Sequence, residues 1–127
     1  MAVCLWDIQL AVGGMNHYLF ARSRPGERNA RFGDLSIPHM IRLLMEMGAD
    51  RERLRAHIIG GGQHLQLNSL IGSENGAIAE EILRQYRIQV VTRDLGGPIG
   101  RKVIFNTCTG EVLIHKVNKI RESDWYR

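Results

Sequence analysis

The sequence predicts an α/β domain, in which two main helices accompany about six strands in a mixed β-sheet. Two stretches, Ile37/Met40/Ile41/Leu44 and Ala79/Ile82/Leu83/Tyr86, recur at the i, i+3, i+4, i+7 spacing of a buried helix stripe. About six short apolar or alternating runs, bounded by Gly, Pro, Asn or Asp, read as strands. The last two of these flank a five-residue turn segment, and such a hairpin must be antiparallel, which makes the sheet mixed. A chain of 127 residues fits a single domain, residues 1–127, that buries roughly two-thirds of its unfolded surface and needs no staples.

Taken in order, Ala2–Trp6 is an apolar strand closed by Asp7. A second strand covers Gly13–Phe20, with Met15, His17 and Leu19 on one face and Asn16 and Tyr18 on the other. Ala21–Gly33 contains Pro25, Gly26, Asn29 and five charged side chains and reads as an exposed loop. The first helix follows, capped by Asp34 or Ser36, with Pro38 in its first turn and Gly48 as its stop. Leu54–Ile59 is a strand that runs into Gly60-Gly61-Gly62. The second helix is expected over Glu74–Tyr86 with Ser73 as cap. Ile88–Thr92 is a strand, Asp94–Pro98 a turn, and Lys102–Phe105 with Glu111–Lys116 the terminal hairpin around 106–110.

Composition excludes several classes. An apolar fraction of 44% with 24% charged residues is that of a globular protein, and no apolar run approaches the ~20 residues of a membrane span. Met1–Asp7 has no basic segment and meets an acid too early for a signal peptide, so a cytoplasmic location is the default. Cys4 and Cys108 have no metal-like spacing and read as free thiols. Net charge is +4, from fourteen Arg and three Lys against 13 acids. Much of it lies in Arg22–Arg31 and Arg51–Arg55, where Glu27, Asp34, Asp50 and Glu52 interrupt it. No nucleic-acid motif accompanies these clusters, so a solvated face is the better reading and no nucleic-acid partner is expected.

Three features bear on chemistry. Gly60-Gly61-Gly62 follows a strand but lacks the Lys-Ser/Thr of a phosphate loop and the spacing of a dinucleotide fingerprint. It reads as a close-packed strand exit or the lining of a site. The five histidines, 17, 39, 57, 64 and 115, include no i, i+4 pair, and neither a metal nor another cofactor is expected. His17 sits in a glycine-led strand beside the opening strand and just before the charged loop. There it could act as general base toward a nucleophile on the neighbouring strand, or be a hydrogen-bonded core histidine. Spacing alone leaves the two readings open.

Six blocks, in order, resemble the CheD family of bacterial chemoreceptor glutamine deamidases. They are Ala2-Val3-Cys4-Leu5-Trp6-Asp7; Gly13-Gly14-Met15-Asn16-His17; Arg31-Phe32-Gly33-Asp34 with Ile37; Gly48-Ala49 and Leu54-Arg55-Ala56 leading into Gly60-Gly61; Ile71-Gly72-Ser73-Glu74-Asn75; and Asp94-Leu95-Gly96-Gly97, Gly100-Arg101-Lys102-Val103 and Thr109-Gly110. The resemblance implies a sandwich like that of papain-like cysteine hydrolases and deamidating toxins. It also implies hydrolysis of a receptor glutamine side chain to glutamate and ammonia, with the cytoplasmic helices of a chemoreceptor as substrate. A CheC-type phosphatase is implied as a further partner.

By the same resemblance His17 is the catalytic histidine, and Gly60, Gly61 and Arg101 bind substrate. The family's nucleophilic Cys would stand immediately before Met1 and its orienting Thr further upstream, outside these 127 residues. Little or no activity is therefore expected of these residues alone, and a non-catalytic module that docks on receptors or on the phosphatase is the alternative. Cys4 is expected to face the opposite side of its strand from that preceding position and to be no substitute. Gly62-Gln63-His64, His57 and Leu19-Phe20 depart from the family pattern around the presumed groove.

Overall fold

A computed structural model describes residues 1–62 and 70–117. The described chain runs β1 (Ala2–Asp7), β2 (Gly13–His17), α1 (Gly33–Glu46), a 3-10 turn (Arg51–Arg53), β3 (Leu54–Gly60), α2 (Leu70–Gln85), β4 (Gln89–Leu95), β5 (Gly100–Phe105) and β6 (Val112–Val117). His64 and Gln63 lie outside the described residues.

Four strands form one sheet in the order β2-β1-β3-β4, and β5 and β6 form a separate two-stranded sheet. β1 is antiparallel to both β2 and β3, whereas β3 and β4 are parallel and joined through α2. The mixed character predicted from the terminal hairpin therefore has a different source. The hairpin is its own sheet, and the mixture arises because β3 returns antiparallel to β1 before the helical crossover makes β4 parallel.

Central and edge strands carry different patterns. β1 and β3 are buried almost throughout, so both of their faces are covered. β4 alternates exposed and half-buried residues and forms an edge. One face of the four-stranded sheet carries Val3, Leu5, Leu54, Ala56 and Ile58, packed in one cluster with Ile37, Ile41 and Leu44 of α1 and Ile78, Ala79, Ile82 and Leu83 of α2. On the other face Trp6 stacks on His57 at 4.4 Å between ring centroids, and Phe105 of β5 meets both rings. The layers are thus helices, sheet and hairpin.

Gly110 marks how closely the hairpin sits. It has φ +79, and a Cβ there would lie 2.2 Å from the Trp6 ring, so only glycine satisfies both the backbone and the contact.

Three local expectations are corrected. α1 starts behind Phe32 without a side-chain cap. The Asp34 carboxylate instead accepts from the Ser23 N–H and hydroxyl, and the Ser36 hydroxyl accepts from Asn16 Nδ2; tertiary partners outcompete the local cap. α2 begins at Leu70, a turn before the expected start, so Ser73 lies inside it. β2 ends at His17, and Phe20 makes only an isolated bridge to Phe32. Gly48, at φ +103, stops α1 as expected.

Candidate active site

The four residues expected at the site converge on the N-terminal end of β1. His17 ends β2 and stands directly opposite Ala2. Ala2 stands opposite Ile59 on its other side, so Gly60 and Gly61 leave β3 beside Met1. A Cβ on Gly60 would lie 3.1 Å from Met1 Cα, and one on Gly61 would lie 2.9 Å from both Met1 Cε and Gly72 O. Both glycines have positive φ, +126 and +69, which side-chain-bearing residues adopt only with strain.

Arg101 braces this corner from β5. Its side chain is 6% exposed. The guanidinium donates to Asp94 Oδ1 at 3.1 and 3.2 Å, to Gly96 O at 2.8 Å, to Ile99 O at 3.2 Å and to Gly60 O at 3.4 Å. With those acceptors supplied by this chain, Arg101 ties the Gly60 and Gly96 carbonyls to the Asp94 carboxylate. Lys116 shares the Asp94 carboxylate at 3.4 Å.

His17 is exposed, not sealed in hydrocarbon. Its pKa lies below the usual histidine value, chiefly because partial desolvation disfavours the charged ring. A ring held below the ordinary ~6.5 is neutral at pH 7 and able to take a proton.

The strand that carries His17 is positioned by residues whose roles the sequence did not reveal. Tyr18 is fully buried and donates its hydroxyl to Asn75 O in α2, while Asn75 Nδ2 donates to Leu19 O at 2.9 Å. Asn16 accepts from the Val3 N–H at 2.8 Å and donates to Ser36. The only sequence signal for Asn75 was its place in the Ile71–Asn75 block.

Cys4 requires a correction. Strand side chains repeat every two residues, so Cys4 shares a face with Ala2 and therefore with His17. It stands opposite Met15 on one side and His57 on the other. Burial disqualifies it: it is 0% exposed, and desolvation pushes its thiol up to about 12, far from the thiolate a nucleophile needs. Cys108 is exposed in the hairpin loop. His57 donates from Nε2 to Gly110 O at 2.7 Å and is part of the hairpin packing. Among the described residues no three His, Cys, Asp or Glu side chains group as a metal site, and no helix is long and apolar enough to cross a membrane.

The fold and the site define a helix, sheet and hairpin sandwich with a solvent-facing histidine beside a glycine-flanked strand end. Residues 20–116 match the family described as CheD chemotactic sensory transduction. A protein of Trichlorobacter lovleyi named probable chemoreceptor glutamine deamidase CheD is 38% identical over 118 residues, covering 90% of this chain and 73% of that relative. One of Sulfurimonas denitrificans with the same name is 34% identical over 124 residues, covering 94% and 80%. A Vibrio cholerae protein of that name is 32% identical, and this chain spans only 55% of its length. The chain belongs to the CheD family. The family match begins three residues after His17, so the role of that side chain rests on geometry and on the motif around it.

Proposed function

We propose that this domain is the glutamine-deamidating unit of a chemoreceptor-modifying protein, with His17 as general acid and base and the thiol supplied by a cysteine directly preceding Met1. The observation that carries this reading is the pairing of Ala2 with His17 on one side and with Ile59 on the other. Continued two steps beyond Ala2 toward the N-terminus, that register would bring the residue before Met1 opposite Leu19 and Gly61. It shares the face of Ala2 and His17 and is the diagonal neighbour of His17, about 7 Å away between Cβ atoms. That spacing lets a sulfur and an imidazole meet.

The chemistry follows from these positions. The thiol passes its proton to His17, and the sulfur attacks the side-chain amide carbon of glutamine. His17 then protonates the nitrogen, ammonia leaves, and a thioester remains. His17 next takes a proton from water, whose oxygen attacks the thioester carbon; the sulfur departs, recovering the proton from His17, and glutamate is formed. Gly60 and Gly61 flank the position of attack with no side chain to obstruct a long amide, and Arg101 holds their main chain in place.

The test is mass-resolved deamidation of chemoreceptor cytoplasmic fragments by residues 1–127 with and without a preceding cysteine. The cysteine-bearing form is expected to convert glutamine to glutamate, and residues 1–127 alone to be slower by several orders of magnitude. Equal rates for the two forms would refute the placement of the nucleophile. Activity in neither would favour the non-catalytic alternative, in which the same surface only docks on a receptor or a CheC-type phosphatase.

A further inference from the structure

The segment after His17 walls an open cleft of about 710 Å³ against the N-terminal half of α2. Its floor is apolar: Phe20 and Phe32, with ring centroids 6.1 Å apart, face Ile71 and Ile78 across it. Phe20 is 44% and Ile71 39% exposed, a large apolar exposure for two residues lining one cleft. The rims differ in charge. Arg24 and Arg31 stand on the loop side without an ion pair among the described residues, and Glu74 stands on the α2 side. Arg22 and Glu81 pair across the cleft at 2.6 Å. Within the loop wall, Glu27 Oε2 is buried and has no hydrogen-bond donor.

This cleft is continuous with the catalytic corner. Leu19 and Phe20 directly follow Tyr18, the residue after His17, and Asn75 of α2 holds the Leu19 carbonyl. Gly72, next to Ile71, has its carbonyl against Gly61. A chain bound in the cleft therefore leads to the corner where His17 stands.

We infer that the cleft between residues 20–32 and α2 is the docking groove for the receptor segment adjoining the target glutamine, an amphipathic segment with an apolar stripe bordered by acids on one side and bases on the other. The inference rests on the deamidase reading and adds what selects the substrate. The apolar floor supplies affinity, since buried aromatic anchors dominate interface energies. The opposed rims fix direction, because charge complementarity governs orientation and encounter more than strength.

The experiment titrates a chemoreceptor cytoplasmic fragment into residues 1–127 by calorimetry, a readout that needs no catalysis. Phe20→Glu and Ile71→Glu are expected to bind roughly tenfold or more weakly. The surface double variant Arg24→Glu/Arg31→Glu, which leaves the floor intact, is expected to weaken binding several-fold at low salt and less at high salt. Met45→Glu, in the separate cavity lined by Pro38, Ile41 and Tyr86, is expected to bind as the parent does. Parent-like binding by both floor variants and the double variant would overturn the groove while leaving the deamidase reading intact. If deamidation by the cysteine-bearing form proceeds with an unchanged KM in those variants, the groove is likewise overturned. No binding by the parent, together with no deamidation by the cysteine-bearing form, would overturn the receptor reading itself.

Discussion

The two faces of the four-stranded sheet are built from different materials. The helix-covered face is aliphatic, with Val3, Leu5, Ile58, Ile41 and Leu83 in one cluster. The hairpin-covered face holds Trp6, His57 and Cys4, is closed by a hydrogen bond to Gly110 O, and continues to His17 at its edge. That mainly aliphatic core, which also buries Tyr18 and Met40, defines the fold. The aromatic and polar face is where a nucleophile and a base can be set side by side at the price of some packing freedom.

Changes on each face should therefore fail differently. His17→Ala in the cysteine-bearing form is expected to lower the deamidation rate by about 10³-fold, the scale of a lost general acid-base group, with an unchanged melting curve. A matching loss of stability would show that the ring is structural. On the opposite face, Ile58→Ala, at a fully buried site, is expected to cost about 3 kcal/mol in a denaturant melt with KM unaltered in the folded fraction.

A third change sharpens the contrast at the far end of β1. The Asp7 side chain is fully buried, and burial by itself would raise its pKa. Arg53 and the N–H groups of Asp50, Gln9 and Leu10 instead hold it well below the usual carboxylate range. A depressed folded pKa stabilises the protein above the unfolded value of ~3.9 and ceases to do so as pH falls through the folded pKa. Asp7→Asn should thus cost about 3 kcal/mol at pH 7, and the gap from the parent should close only below pH ~4. A gap that stays constant down to strongly acid pH would rule out the ionised clasp.

Gly110→Ala, which strains a positive φ and meets the Trp6 ring, is expected to cost about 2 kcal/mol and to loosen the hairpin selectively, read as faster amide exchange in β5 and β6 than in β3. The smallest effect is expected of Cys4→Ala: a deamidation rate like that of the parent, because the buried thiol stays protonated. Loss of the rate on that substitution would return Cys4 to the mechanism.

Much of this was legible in the residues. The apolar run of β1 reads as a strand covered on both faces, and the helical stripes placed α1 and the body of α2. What failed were details decided by distant partners. Asp34 and Ser36 looked like caps because their side chains suit that role, but Ser23 and Asn16 claim them. α2 starts at Leu70 rather than beside Ser73, and its first turn brings Gly72 against Gly61. The face of Cys4 follows from strand alternation alone, four residues being an even offset from the position preceding Met1, and only its burial needed the tertiary structure.

By itself the sequence determined the element types, because these follow from local periodicity, and its resemblance to a family singled out the histidine worth testing. Only the tertiary structure decided that His17, Met1, Gly60 and Arg101 share one corner and that a charged-rim cleft adjoins it. Those juxtapositions join residues tens of positions apart, and no local pattern records which strands become neighbours until the sheet order brings them together.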